Sequence, residues 1–296
     1  MKEVKKLMKK IPQLLKWVGN KHKFANEIVE MMPSEIETYY EPFLGSGAIL
    51  GTLAYYQKSS LIPPITYKKA VASDVMTPLI GIFNHVKNEP NTLIEHYKEC
   101  IDGYSDNREE KYLEVRERFN KDRDPLDFAV LTRTCYSGII RFRKSDGYMS
   151  TPIGPHKPIS PESFGERVRI WHDLLQDVEF INADFRETMA KAQNGDLVYC
   201  DPPYTHSQGI LYGAQAFKIE DLWQAIYDCK QRGAKVMLSI NGKKKSKTED
   251  ISVQIPEGLF EREQYVNCGV SMINRLQRSG EIMTNEDVHD RLLFTW

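Results

Sequence analysis

The chain has 296 residues, of which 41% are hydrophobic and 27% charged, and its net charge is −1. This suits one large or two small globular domains with a real core, and it argues against a wholesale polyanion binder. No apolar run is long enough to span a bilayer, and the lysine-rich N-terminus lacks the apolar stretch and cleavage site of a signal peptide, so a cytoplasmic protein is expected.

In chain order, Met1 to Lys23 carry eight lysines against one acid, Glu3. Tyr39 to Phe43 reads as a strand, Leu44 to Gly47 as a tight turn and Ala48 to Gln57 as a helix. A second strand, Ala70 to Ser73, ends at Asp74, and a helix follows over Pro78 to Val86. The alternation then breaks over residues 89–176, a charged stretch that is helical in its first half and rich in Gly, Pro and Arg in its second. Strands resume at Val178 to Asn182 and Asp196 to Cys200. The helix Glu220 to Arg232, the strand Lys235 to Ile240 and a closing pair, Phe260 to Asn267 with Arg291 to Trp296, complete the chain. Strands alternating with helices predict an α/β fold with a mostly parallel sheet covered on both faces. Residues 1–88 and 177–296 would form that body. Residues 89–176 read as an inserted second domain, with an elaborated crossover as the alternative.

The five cysteines, Cys100, Cys135, Cys200, Cys229 and Cys268, are scattered without a CxxC pair. Reduced core thiols are expected, and no metal site or disulfide framework is supported. Two further basic clusters stand out. Arg133, Arg141, Arg143, Lys144 and Lys157 face one acid, Asp146, and Lys243, Lys244, Lys245 and Lys247 form a run read as a solvated loop rather than a phosphate contact. Together with the N-terminal lysines they favour a confined polyanion groove.

Two motifs carry chemistry. Glu41-Pro42-Phe43-Leu44-Gly45-Ser46-Gly47 places glycines directly after a strand, where backbone can approach a ligand closely. Asp74, at the end of the next strand, can accept hydrogen bonds from ribose hydroxyls. Leu50 stands where a dinucleotide fingerprint needs a small residue, so NAD is disfavoured and another adenosine ligand is allowed. The second motif, Asp201-Pro202-Pro203-Tyr204, follows the apolar strand Leu197 to Cys200. Its prolines fix the backbone, Asp201 and the Pro202 carbonyl can accept the two hydrogens of a planar amine, and Tyr204 can stack on the ring.

In this order the motifs resemble those of the D12-type, or Dam-like, adenine-N6 DNA methyltransferases, over nearly the whole chain. The resemblance begins at Lys16-Trp17-Val18-Gly19-Asn20-Lys21, where Asn20 departs from the family's usual glycine, and includes Asn182-Ala183-Asp184-Phe185. It implies a Rossmann-like fold dependent on S-adenosylmethionine (SAM), with a mainly helical target-recognition domain inserted at 89–176. It implies cofactor contacts from Trp17, Lys21, Asp74 and Asp201, with Phe43, Gly45, Gly47 and Asp184 contributing, and catalysis by Asp201, Pro202, Pro203 and Tyr204 on a flipped adenine. The segment Arg133 to Arg143 resembles the family's recognition hairpin. Tyr136 would wedge against stacked bases, Arg141 would read a guanine, Arg133 would touch phosphate, and Ile139, Arg143 and Lys144 would complete the interface with double-stranded DNA. Arg143 replaces the asparagine of Dam-like members, so no target sequence carries over. The resemblance further suggests the modification enzyme of a bacterial or phage restriction system, with a separately encoded endonuclease. The rivals are an amino methyltransferase acting on RNA or another planar amine, and an inactive DNA-binding module.

Overall fold

The structure is a computed structural model that describes residues 10–59, 63–203, 217–241, 254–269 and 288–296. Tyr204 and the Lys243 to Lys247 run, both singled out above, lie outside these residues. Seven strands form one sheet in the order β3-β2-β1-β4-β5-β7-β6. They are β1 (Glu35–Glu41), β2 (Thr66–Asp74), β3 (Val178–Asn182), β4 (Leu197–Cys200), β5 (Lys235–Asn241), β6 (Arg262–Gly269) and β7 (Val288–Phe294). The first five pair parallel, with Tyr39 opposite both Ala70 and Leu197, and β7 runs antiparallel to β5 and β6. The expected mostly parallel α/β sheet and its closing pair are both present. β1 and β2 begin about four residues earlier than expected, because alternating charged residues such as Glu35 and Glu37 hide a strand whose other face is buried at Ile36.

The pleat sends successive side chains to opposite faces, and the core follows it. Leu197 and Tyr199 of β4 join one apolar cluster, while Val198 and Cys200 join the other. Helices α8 (Phe185–Met189) and α9 (Ile219–Gln231) cover the second face. The first face carries α1 (Ala25–Val29), α2 (Ala48–Lys58), α3 (Thr77–Asn88), α4 (Pro90–Ile101), α5 (Arg108–Asp122), α6 (Pro125–Thr134) and α7 (Pro161–Leu174).

Helices α4 to α7 fall within residues 89–176, the stretch read from the sequence as an insert. Two of their N-termini are written in the sequence. Asp124 caps α6 by accepting from the Leu126 amide at 2.8 Å, Ser160 caps α7 through the Ser163 amide at 3.2 Å, and each cap is followed by proline at the first helical position. The insert is held by stacked aromatics, Tyr97 on Phe164 at 3.9 Å and Phe119 on Phe128 at 4.9 Å between ring centres. Gly81 lets α3 approach α6, since a Cβ there would lie 2.3 Å from Pro125. The segment before α1 runs beneath the insert, fastened by Trp171 Nε1 to the Pro12 carbonyl at 2.8 Å and by Arg167 to the Gln13 carbonyl at 2.6 Å. Of the described cysteines, Cys135, Cys200 and Cys229 are buried free thiols, whereas Cys100 is only partly buried.

Candidate active site

Neighbouring strands β1 and β4 mark the point where strand order reverses, and their carboxyl ends open into a cavity of about 280 Å³. Its walls come from separate stretches of chain: residues 17–21, Glu41 to Ser46, Asp74 and Val75, Asp184 and Phe185, Tyr199, and Asp201 to Pro203. Of the residues expected to bind a cofactor, Trp17, Lys21, Phe43, Gly45, Asp74, Asp184 and Asp201 all line this cavity.

Gly47 does not line it. It caps α2 in the left-handed conformation, φ +67°, and a Cβ there would lie 3.0 Å from Phe83 and 3.3 Å from Trp171. Its glycine therefore serves the turn and the packing of α2. Gly45 does face the cavity, with φ +48°, and a Cβ would lie 3.2 Å from Trp17 Nε1. The absent side chain lets the indole close over the turn.

Asp74 is held by its neighbours. Its carboxylate accepts from the Gly45 amide at 3.2 Å and the Met76 amide at 3.0 Å. Burial still pushes its pKa up to about 6 against those hydrogen bonds. Phe43 stacks on Phe185 at 5.2 Å, and the half-exposed Val75 adds an apolar surface beside Asp74. Asp184 spends its carboxylate on its own helix, accepting from the Arg186 amide at 2.9 Å and from the guanidinium at 2.7 Å. Burial opposes that charge, but the Arg186 contacts hold its pKa below the ordinary value.

At the other end of the cavity Lys21 lies 3.0 Å from both Asp201 Oδ1 and Asp290 Oδ2. Lys21 is 6% exposed. Burial works against its charge, yet the two carboxylates outweigh burial and raise its pKa. Asp290, on β7, is 5% exposed and was not expected from the sequence. It stands between His289 and Arg291 in the sequence, where nothing marks it as internal. Glu41, which heads the first motif but was given no role there, is 2% exposed at the cavity wall, where its carboxylate accepts from the Tyr39 hydroxyl at 2.6 Å. Burial pushes its pKa up to about 8, and the nearby Asp201 charge adds to the rise. Asn20, the departure from the family element, secures its own turn, donating to the Trp17 carbonyl at 2.6 Å and accepting from the His22 amide at 3.2 Å.

The expected DNA-facing residues separate into two groups. Tyr136 is 37% exposed on a short 3-10 turn, Tyr136–Gly138, that abuts the N-terminal segment, since a Cβ on Gly138 would lie 2.8 Å from the Lys16 carbonyl. Arg141 and Lys144 are exposed and Ile139 is partly buried. Arg143 is also exposed but engaged, with a bidentate pair to Asp146 at 3.1 and 2.6 Å and its guanidinium 4.2 Å above the Tyr148 ring. Arg133 departs from expectation. It is 4% exposed, and its guanidinium donates to the Gln13 and Leu14 carbonyls at 3.4 and 3.3 Å. Burial brings its pKa down to about 10. It ties the N-terminal segment to α6 rather than standing on the surface, because α6 is buried along most of its length. Beside it, a cavity of about 130 Å³ is lined by Lys16, Arg133, Tyr136 and His156 among others.

The chain is similar in sequence to known proteins. A DNA adenine methylase of Vibrio cholerae is 30% identical over 247 residues, covering 78% of this chain and 82% of its own length. The type II methyltransferase M.MjaIII of Methanocaldococcus jannaschii is 31% identical over 253 residues, covering 77% and 84%. A DNA adenine methylase of Serratia marcescens is 32% identical over 224 residues, covering 72% and 76%. Residues 17–267, from the Trp17 wall of the cavity to the far edge of the sheet, match the family described as D12 class N6 adenine-specific DNA methyltransferase. With its mostly parallel sheet and its strand-end cavity, the chain belongs to that family and is an adenine-specific DNA methyltransferase.

Proposed function

We propose that this enzyme transfers a methyl group from SAM to N6 of an adenine flipped out of duplex DNA. The observation that carries the reading is the convergence of Trp17, Lys21, Asp74 and Asp201 on one cavity at the switch point of the sheet. The donor set fits SAM. Asp74 offers a carboxylate for ribose hydroxyls, Phe43, Phe185 and Val75 offer apolar surface for an adenine ring, and Lys21 and Asp201 supply charge, with Glu41 as a protonated carboxyl, for an amino-acid end. When bound, SAM supplies a methyl already activated by a sulfonium. This chain's residues then position the amine. Asp201 and the Pro202 carbonyl accept its two hydrogens and turn the nitrogen lone pair toward the methyl. Lys21 fixes Asp201 in place. Tyr204 stacks on the extruded base, which offsets part of the few kcal/mol that unstacking costs by about 1–3 kcal/mol. Alignment and preorganised charge account for the rate.

Residues 89–176 act as the target-recognition unit on a catalytic body of residues 1–88 and 177–296. Tyr136 wedges into the duplex and Arg141 reads a guanine, with Ile139, Arg143 and Lys144 along the same hairpin. The likeness to a type II methyltransferase supports service as the modification enzyme of a restriction system, in a bacterial or phage cytoplasm, with a separate endonuclease as partner.

Expression in a methylation-free bacterial host, followed by single-molecule sequencing that detects modified bases, tests the reading. N6-methyladenine at one short motif is expected. Asp201→Ala and Tyr204→Ala are each expected to abolish the mark, with SAM binding less affected by the tyrosine change. A Tyr204→Ala enzyme with undiminished turnover would overturn the stacking role.

A further inference from the structure

Away from the cavity, three helices of the insert meet in a cluster of ionisable side chains that methyl transfer leaves unused. His96 and Cys100 lie one turn apart on α4, and Asp127 lies in the first turn of α6. His96 Nε2 is 2.8 Å from Asp127 Oδ1 and 3.6 Å from Cys100 Sγ, and the three donor atoms all lie within 4.8 Å of one another. Asp127 is 3% exposed, whereas His96 and Cys100 are only partly buried, which leaves an ion a way in.

An imidazole, a thiolate and a carboxylate are the nitrogen, sulfur and oxygen donors that zinc takes in tetrahedral sites, at about 2.0–2.3 Å. Bonds of that length put neighbouring donors about 3.3–3.6 Å apart. The His96–Cys100 edge already has this length, and the His96–Asp127 edge needs to open by about half an ångström. Arg118 of α5 now stands where a cation would. Its guanidinium lies 2.6 Å from Asp127 Oδ1 and 3.4 Å from Cys100 Sγ. It also has a retreat, because it lies 3.1 Å from Glu114 one turn back and its side chain is 40% exposed.

We propose that His96, Cys100 and Asp127 form a zinc site, with Arg118 as the counter-ion that holds the ligands together when no metal is bound. Zinc displaces Arg118 toward Glu114 and is held by the imidazole, the thiolate and the carboxylate, leaving a fourth position for water. The bound ion pins α4 to α6. Because α5 and α6 also carry the recognition hairpin, through Asn120 to Met149 and Arg123 to Gly147, the ion stiffens the base of that hairpin.

The full chain, stripped with a chelator and titrated with zinc against a chromophoric zinc indicator, tests this independently of methyl transfer. One zinc per chain is expected. Cys100→Ser and Asp127→Asn should each weaken binding by at least about tenfold, as loss of a metal contact does, and Arg118→Gln should tighten it. Cobalt(II) in place of zinc should give a thiolate-to-metal absorption band that Cys100→Ser lacks. Circular dichroism verifies that the variants fold. No stoichiometric uptake by the unmodified protein, or equal uptake by folded Cys100→Ser, overturns the assignment.

Discussion

Lys21 keeps its charge in a place where burial opposes it, because two carboxylates each lie 3.0 Å from it. A buried triad of this kind is a poor source of net stability but costly to break, since the partner left behind is an uncompensated charge. Lys21→Met would remove the cation that lies 3.0 Å from both Asp201 and Asp290. A loss of about 3–5 kcal/mol is expected in denaturant unfolding, together with weaker SAM binding by calorimetry. Asp290→Asn removes one of the two carboxylates beside Lys21 and should raise the KM for SAM more than it lowers kcat. Glu41 makes an opposite statement. Its folded pKa of about 8 lies above the ordinary carboxylate value, so the native state binds a proton that the unfolded chain has already lost. Stability from this group is present at acid pH and is lost as pH rises from about 4 toward 8, at up to about 1.4 kcal/mol per unit. Glu41→Gln should flatten that slope, so that variant and parent diverge most above pH 8 in thermal unfolding. An unchanged slope would show that Glu41 does not hold the proton.

At the scale of elements, the hairpin after α6 shows how secondary structure sorts residues of one charge into different roles. Arg141 and Arg143 both project from its arm, yet Arg143 is bidentate with Asp146 and covers Tyr148, while Arg141 is exposed and pairs with no acid among the described residues. Arg141→Ala should cost about 1–3 kcal/mol of discrimination at one base pair and relax the methylated motif there, as read by sequencing. Arg143→Ala should instead loosen the turn and weaken binding to all sequences alike. Much of this was legible in the chain itself. Strand, glycine turn and helix at Glu41 to Gln57, Asp74 ending a strand, and Asp201-Pro-Pro after an apolar strand named both cavity walls, because each motif sits where a period changes. Other features were hidden by physics. Arg133 reads as one more basic residue, and only the packing of α6 against the N-terminal segment shows that it is internal. Asp290 belongs to no motif, and it meets Lys21 only because β7 inserts between β5 and β6. Gly47 looked like a ligand glycine, but its φ and the nearby Phe83 make it a packing glycine.

For the whole molecule, the insert and the sheet share one interior. Tyr97, Phe119 and Phe128 of α4 to α6 belong to the same apolar cluster as Tyr39, Ala70 and Met237 of the sheet. Trp171 of α7 is the joint between them. It is 1% exposed, its ring lies 6.1 Å from Phe83 of α3, and it closes on Gly51 of α2, where a Cβ would come within 2.6 Å. Its indole nitrogen also fixes the strap before α1 by bonding the Pro12 carbonyl. A recognition unit that was merely docked would unfold on its own, whereas one that shares a core should unfold with the body. A single urea transition, coincident by circular dichroism and tryptophan fluorescence, is therefore expected. Trp171→Ala should lower its midpoint by an amount worth about 3–5 kcal/mol without splitting it. The fragment 89–176 should not fold alone, because its buried aromatics would lose the α2 and α3 surfaces that cover them. Two resolved transitions in the parent protein would mean that the aromatic cluster is contact between separate cores. The hairpin that carries Tyr136 and Arg141 would then have to be fixed relative to the sheet by the DNA rather than by the protein.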